Sequence, residues 1–153
     1  MNENLIELVK KALDKVYQEQ KYLIENRVHE RSIVFWFGIY FYELLKNSEF
    51  KGYDLDFEYN RNFDDVKRTE HSVNGTYPDI ILHKRGSNEY NLLAIEFKTW
   101  WSDKKQFKDD IRKLKDFINP NGKYRYKLAL FVILGKDKPN IEYIDGNNEY
   151  KNP

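Results

Sequence analysis

A run of seven apolar residues, Leu128 to Leu134, most constrains the fold of this chain. A strand that is apolar at every position is buried on both faces, as in the centre of a sheet that helices cover. A second apolar stretch, Ile33 to Leu45, contains Glu43 and is shorter than the roughly 20 residues that a membrane span needs. The two stretches therefore predict a central strand and a buried helix.

Hydrophobic spacing along the whole chain predicts the element order α-α-β-β-β-α-β, with a short edge strand over 141–144 as an optional last element. The predicted elements are helices over 3–24 and 29–46, strands over 54–59, 77–83 and 90–98, a helix over 103–118 and a strand over 124–134. A chain of 153 residues fits one domain. The expected fold class is α/β, a single domain over 1–153 with a central four- to five-stranded mixed sheet flanked by helices.

The predicted helices differ in pattern. The first has one apolar face, formed by Leu5, Val9, Leu13 and Val16. The second, over 29–46, is apolar nearly all round, so we expect it to be covered on most sides. Its expected inward residues are Ile33, Phe37, Leu44 and either Tyr40 or Phe41. The helix over 103–118 has an apolar stripe of Phe107, Ile111, Leu114 and Ile118, and Asp103 is its expected cap.

The strands over 77–83 and 90–98 are separated by a turn signal at 84–88, which predicts an antiparallel hairpin. A charged loop over 60–76 precedes them, and loops of this length inside a compact domain are often functional.

Composition excludes several classes of function. The chain has no Cys, which excludes disulfides, thiolate zinc sites and Cys nucleophiles. Its N-terminus lacks the basic start and apolar run of a signal peptide, so we expect a cytoplasmic protein that has no membrane partner.

Chemistry concentrates where two predicted strands end. Pro78 and Asp79 belong to one strand of the hairpin, and Glu96, Phe97 and Lys98 to the other. Alternation along a strand puts Glu96 and Lys98 on one face. If Asp79 lies on the neighbouring strand, two carboxylates and an ammonium converge, and carboxylate oxygens suit Mg²⁺. The alternative is that these acids are surface carboxylates paired with Lys98.

These motifs resemble the PD-(D/E)XK phosphodiesterase superfamily, the restriction-endonuclease-like nucleases, and in detail its small stand-alone bacterial members. Further shared stretches are 30–33, 58–61, 78–86 and 93–98. The resemblance covers roughly 28–134 and implies a restriction-endonuclease-like core there, with 1–27 as an N-terminal helical extension. One departure is visible: Phe35 and Trp36 follow Ile33, where a polar or basic residue is expected among such relatives.

The resemblance implies a magnesium-dependent nuclease, in which Mn²⁺ can substitute and DNA is the expected substrate. Asp79, Glu96 and Lys98 are the implied catalytic residues, and Asp79 and Glu96 the metal ligands, with the carbonyl of Phe97 as an additional candidate. Glu30 is a further candidate ligand, although an acid in the first turn of a helix is equally explained by the helix dipole. His83 shares a strand face with Asp79, and a surface or half-buried imidazole is its expected state.

The net charge of +1 hides two unlike parts. Residues 98–127 contain ten basic and four acidic residues, a net +6, which leaves −5 for the rest. A basic segment beside a metal site suits a phosphate backbone. The candidate nucleic-acid contacts are Arg61, Lys104, Lys105, Lys108 and Arg112, with Lys67, Arg68 and stacking by Trp100 and Trp101 as additions. The alternative for each is a solvated helix face with packed Trp residues.

Two other functions stay open at this point. One is a catalytically inactive module of the same fold that binds nucleic acid or a protein partner. The other is an interaction role of the aromatic helix over 29–46, through Phe35 or Trp36, as the seam of a homodimer.

Overall fold

A computed structural model describes residues 2–70, 75–145 and 150–151. The chain packs into two compact units, each built from separate stretches of sequence. The helical unit comprises Met1–Tyr53, Phe97–Ser102 and Ile133–Asn140. The sheet unit comprises Asp54–Glu96, Asp103–Val132 and Ile141–Pro153.

The helices are α1 (Asn2–Glu19), α2 (Lys21–Glu25), α3 (Glu30–Lys46) and α4 (Phe107–Ile118), with a 3₁₀ turn at Lys104–Gln106. The strands are β1 (Asp54–Phe57), β2 (Arg61–Asn62), β3 (Asp65–Val66), β4 (Ile80–His83), β5 (Leu93–Thr99), β6 (Leu128–Leu134), β7 (Pro139–Asp145) and β8 (Tyr150–Lys151). The mixed α/β class predicted from the sequence is confirmed.

Six strands form one sheet in the order β1-β4-β5-β6-β7-β8. Strand β4 runs antiparallel to both β1 and β5, and β7 runs antiparallel to β8. Backbone hydrogen bonds join Leu128 to Leu92 near the start of β6, and Trp100 to Leu134 at its end, so β5 and β6 run parallel. The sheet is therefore mixed, and α4 connects its parallel pair, as such pairs require.

The apolar run over 128–134 lies inside the sheet, as predicted. It forms β6, which lies between β5 and β7, and all of its residues except Ile133 are buried. The hairpin of β4 and β5 is also confirmed, and Gly86 adopts a φ of 76° in its turn, where a side chain would be strained.

Strand ends differ from the prediction for local reasons. Strand β4 begins at Ile80 rather than at 77, because Pro78 has no N–H to donate to a ladder. Strand β1 ends at Phe57 rather than at 59, because Glu58 turns the backbone into the left-handed region with a φ of 43°.

The first predicted helix is broken. Leu5, Val9, Leu13 and Val16 are all buried as predicted, and α1 packs on α3. The helix ends at Glu19 because Gln20 leaves helical geometry, with a φ of −123°, and a short α2 follows. The Gln20 side chain donates to the Tyr40 hydroxyl of α3 at 2.8 Å, a long-range contact that helical periodicity does not contain.

Helix α3 is less covered than its composition predicts. Ile33, Phe37 and Phe41 are buried as expected, while Leu45 replaces the half-buried Leu44 as the last inward residue. One stripe faces solvent within the single chain, and its members are Phe35, Ile39 and Tyr42, which are 53%, 42% and 50% exposed. The expectation of cover on most sides is therefore wrong for this stripe.

The predicted loop over 60–76 contains a small hairpin. Strands β2 and β3 pair as a separate two-stranded sheet, and residues 71–74 lie outside the described residues. Across the described part of the chain, no helix combines the length and the apolar character that crossing a membrane requires.

Candidate active site

The register of the β4–β5 hairpin determines where the two predicted catalytic carboxylates lie. Ile80 pairs with Ile95, so the next opposed positions along the same antiparallel register are Asp79 and Glu96. Residues directly opposite each other have side chains on the same face, with Cβ atoms about 4.5–5.5 Å apart. The Asp79 carbonyl also accepts from Glu58 N–H at 2.9 Å, which extends the β1–β4 ladder by one step. Continued by one step beyond its last pair, this register would set Asp79 opposite Glu96.

The two carboxylates differ in burial. Glu96 is 5% exposed, between the fully buried Ile95 and Phe97, whereas Asp79 is half-buried. A charged carboxylate is rarely buried to this degree without a cation beside it, because desolvation is expensive.

The cation beside Glu96 comes from α4. Lys113 Nζ lies 3.4 Å from Glu96 Oε1 and 2.7 Å from Asp110 Oδ1. We call Glu96, Asp110 and Lys113 the Lys113 cluster. Burial lowers the pKa of Lys113, but attraction to Glu96 and the hydrogen bond and charge of Asp110 outweigh it and raise that pKa above its usual value. Lys113 is therefore charged at neutral pH.

Sequence reasoning counted Lys113 in the basic segment and missed its place in the site. The expected stripe of α4 included Phe107 and Ile111, which are half-buried, whereas Asp110 and Phe117 are buried with Leu114 and Ile118. The one available signal was Asp110 itself, an acid four residues before Leu114 on the face that packs inward, with a lysine three residues later. Asp103 caps the 3₁₀ turn before α4, where its carboxylate accepts from Lys105 N–H at 3.0 Å; α4 itself has Gln106 at its N-cap, without a side-chain cap bond.

Lys98 and Glu30 keep their predicted places on secondary structure. Lys98 is half-buried on β5, two residues after Glu96 and therefore on the same side of that strand. Glu30 is the first residue of α3 and is half-buried. The roles assigned to both residues stay predictions.

The donor set fits Mg²⁺ in its chemistry. Asp79 and Glu96 supply two hard oxygen ligands, and this metal commonly uses one or two carboxylates while keeping several waters. Among the described residues, no three Asp, Glu or His side chains are grouped closely enough to hold a metal ion. A site here would therefore be one of few protein ligands.

The basic residues of the segment that contains α4 form an exposed face. Lys104, Lys108 and Arg112 follow one another at intervals of four residues, and all three are exposed, as is Lys105. Arg112 also lies 3.6 Å from Asp109, an exposed pair of small energetic weight. We call these four residues the α4 basic face. Arg61, on β2, is exposed too.

Lys67 overturns one expectation. The sequence makes it a candidate additional contact for nucleic acid, yet it is 3% exposed. Its ammonium lies 5.2–5.8 Å from the ring centres of Tyr59, Phe117, Tyr124 and Tyr126, and it donates to the Tyr126 hydroxyl at 3.3 Å. We call these rings the Lys67 cage. Burial lowers the pKa of Lys67 to about 8, partly offset by Asp56. Because the Lys67 cage encloses its ammonium, Lys67 is not available to a phosphate.

The two Trp residues are also engaged. Arg27 lies over the Trp100 ring at 4.5 Å, and the Trp100 indole N–H donates to the Ile24 carbonyl at 3.4 Å. Trp101 meets Trp100 edge to face. Packing, the alternative given for these residues, explains Trp100 within the helical unit.

His83 belongs to a separate polar cluster on the outer strands of the sheet. It is 3% exposed, so the expected surface or half-buried state is wrong, and its Nε2 lies 2.8 Å from Asp56 Oδ2. Arg85 donates to both oxygens of the same carboxylate. Burial raises the pKa of Asp56, but hydrogen bonds from His83 and Arg85 outweigh it and hold the pKa well below its usual range. The Nε2 atom of His83 is therefore engaged by the Asp56 carboxylate within this cluster.

Two comparisons with known proteins identify neither a family nor a relative. The chain matches no model of a known protein family, and it matches no curated protein.

Proposed function

We propose that this chain is a metal-dependent phosphodiesterase of the PD-(D/E)XK type, a nuclease with DNA as its expected substrate. The observation that supports the proposal is the β4–β5 register, whose pair of Ile80 with Ile95 adjoins Asp79 on one strand and Glu96 on the other. The α4 basic face, which belongs to the same sheet unit, adds a surface for a phosphate backbone.

The proposed roles follow from the chemistry of each group. Asp79 and Glu96 hold the metal, with Glu30 and the Phe97 carbonyl as further candidate ligands. Lys98 orients the attacking water or neutralises charge that develops on the phosphate. A divalent ion held there, Mg²⁺ or Mn²⁺, would supply Lewis-acid chemistry to a scissile phosphate and its leaving oxygen. Arg61, Lys104, Lys105, Lys108 and Arg112 contact the nucleic acid backbone without selecting a sequence.

The test is cleavage of plasmid, linear and single-stranded DNA, and of RNA, with Mg²⁺ or Mn²⁺ and with a chelator. Asp79→Asn, Glu96→Gln and Lys98→Met are each expected to lower the rate at least about a hundredfold, since each removes a group that acts on the reacting phosphate. Matched controls are Glu43→Gln and Lys46→Met, which remove the same side-chain charges from an exposed pair on α3 and keep activity.

Two results would refute the nuclease. One is a wild-type protein that cleaves none of these substrates with either metal. The other is cleavage that persists at the wild-type rate in Asp79→Asn and Glu96→Gln, because it would have to come from another site or from a contaminant.

A second candidate is a non-catalytic module of the same fold that binds nucleic acid or a protein partner. The observation that favours it is the ion pair of Glu96 with Lys113, which already compensates the charge of the buried carboxylate. Such a module binds DNA without cutting it, with an affinity that falls as salt rises and does not respond to a chelator. This candidate would be rejected if the wild type cleaves DNA and Glu96→Gln does not.

A further inference from the structure

The ammonium of Lys113 lies against the same carboxylate that the proposed nuclease uses as a metal ligand. We propose that Lys113 is a positioning residue that acts through Glu96: it is the internal counter-ion of Glu96 in the metal-free protein, and a divalent cation gains Glu96 in competition with it. This inference rests on the proposed function, and it adds that Lys113 opposes metal binding at the same site.

The two contacts of Lys113 are unequal. The distance from its nitrogen to Asp110 is 2.7 Å, a full charged hydrogen bond, whereas the distance to Glu96 is 3.4 Å. Lys113 can therefore release Glu96 and keep Asp110, its neighbour at i−3 on α4. Asp110 holds the ammonium of Lys113 when Glu96 binds another cation.

Exposure indicates which partner moves. The side chain of Lys113 is 24% exposed, against 7% for Glu96 and 10% for Asp110. Lysine carries its charge on a flexible four-carbon stem, whereas a buried carboxylate on a strand has little freedom. Movement of Lys113 leaves Glu96 in place as a ligand that needs no reorganisation.

Charge gives the direction of the effect. An ammonium beside Glu96 repels a divalent ion that approaches the same oxygens. At an effective dielectric constant of about 20 and a separation of about 5 Å, the repulsion between a unit charge and a divalent ion corresponds to far more than a tenfold change in affinity, so about tenfold is the least effect expected when this charge is removed. A residue that merely held Glu96 in shape would act in the opposite sense, because its removal would disorder the ligand and weaken binding.

The experiment measures Mn²⁺ binding to the whole chain by calorimetry, without nucleic acid. Lys113→Met is expected to bind Mn²⁺ at least about tenfold more tightly than the wild type, and Glu96→Gln in the same background to abolish that gain. Asp110→Asn is expected to bind more weakly than the wild type, because Lys113 is then held by Glu96 alone. Lys115→Met, which removes an exposed charge from the same helix but outside the α4 basic face, is expected to stay within about twofold of the wild type.

The outcomes separate the inference from the proposed function. If Glu96→Gln weakens Mn²⁺ binding but Lys113→Met binds no more tightly than the wild type, the inference fails and the metal site stands. If neither the wild type nor Lys113→Met binds Mn²⁺, both fail. If Lys113→Met does not fold, Asp110→Asn still decides: equal or tighter binding than the wild type refutes competition by Lys113.

Discussion

Two lysines of the sheet unit lie in opposite kinds of surroundings. Lys67 is 3% exposed, and aromatic rings surround its ammonium, whereas Lys113 contacts two carboxylates and keeps 24% of its side chain exposed. Burial lowers the pKa of Lys67 to about 8, while carboxylates that outweigh burial raise the pKa of Lys113. Whether a buried ammonium keeps its proton is therefore decided by full negative charge beside it, more than by depth.

The two lysines also differ in how firmly they are held. The backbone around Lys67 is fixed on both sides: its N–H donates to the Asn60 carbonyl at 2.7 Å, and its carbonyl accepts from Thr76 at 2.9 Å. The Tyr124 hydroxyl contacts both N–H and carbonyl of Arg68 next to it. Lys67 is thus fixed through its backbone as well as its side chain, whereas we propose that Lys113 releases Glu96 and keeps Asp110.

The largest expected effect is that of Lys67→Ala. It removes a four-carbon stem from a packed cage and leaves a cavity, which lowers the free energy of unfolding by about 3 kcal/mol. Urea unfolding at neutral pH measures this. Lys67→Met fills the same space without a charge and is expected to be at least as stable as the wild type. A variant Lys67→Ala that is as stable as Lys67→Met would show that the cage is not tightly packed around the stem.

The second effect is a rise in stability with pH. The pKa of Lys67 falls from 10.5 in a free lysine to about 8 in the folded chain. Between these two values the unfolded chain holds a proton that the folded chain has released, so the free energy of unfolding rises with pH, by up to about 3 kcal/mol.

The measurement compares wild type and Lys67→Met in urea from about pH 7 to about pH 9.5. This range ends before tyrosines ionise in the unfolded chain, which would act in the opposite sense, since burial raises the pKa of Tyr126. The difference between the two proteins is expected to change in favour of the wild type as pH rises. A constant difference would mean that the cage holds Lys67 charged throughout, as Lys113 is.

The smallest effect is that of Lys113→Met on the metal-free protein. It leaves Glu96 and Asp110 without their shared cation and is expected to lower the free energy of unfolding by about 1–2 kcal/mol, less than for a fully buried pair because Lys113 is partly exposed. Lys46→Met, which breaks an exposed pair with Glu43, changes stability by less than about 0.5 kcal/mol. Equal losses in the two variants would contradict a special place for Lys113.

Sequence patterns predicted the elements whose signals are local. The apolar run at 128–134, the stripe of α1 and the turn around Gly86 each depend on neighbours within a few residues, and each is found where predicted. Patterns could not predict the break at Gln20, because the hydroxyl that its side chain contacts lies 20 residues further along the chain.

For the candidate site too, local patterns were predictable and contacts between residues distant in sequence were not. The hairpin whose paired residues Ile80 and Ile95 adjoin Asp79 and Glu96 was predicted from the sequence and is found in the structure. The partner of Glu96 did not follow, because Lys113 arrives from a helix and nothing near Glu96 in sequence selects it among the ten basic residues of its segment. Lys67 was misplaced because a lysine in a charged loop is normally solvated, and its cage is assembled from rings over 59–126.

The short strand β1 bears on how this protein avoids its own aggregation. It terminates the six-stranded sheet on one side, is four residues long, and carries Asp54 and Asp56 before Glu58 turns the backbone away with its positive φ. A short, charged and abruptly ended border offers a poor template for a strand of another molecule. Self-association of this chain, if it occurs, is therefore expected to use side-chain surfaces such as the exposed stripe of α3 and not to extend the sheet through β1.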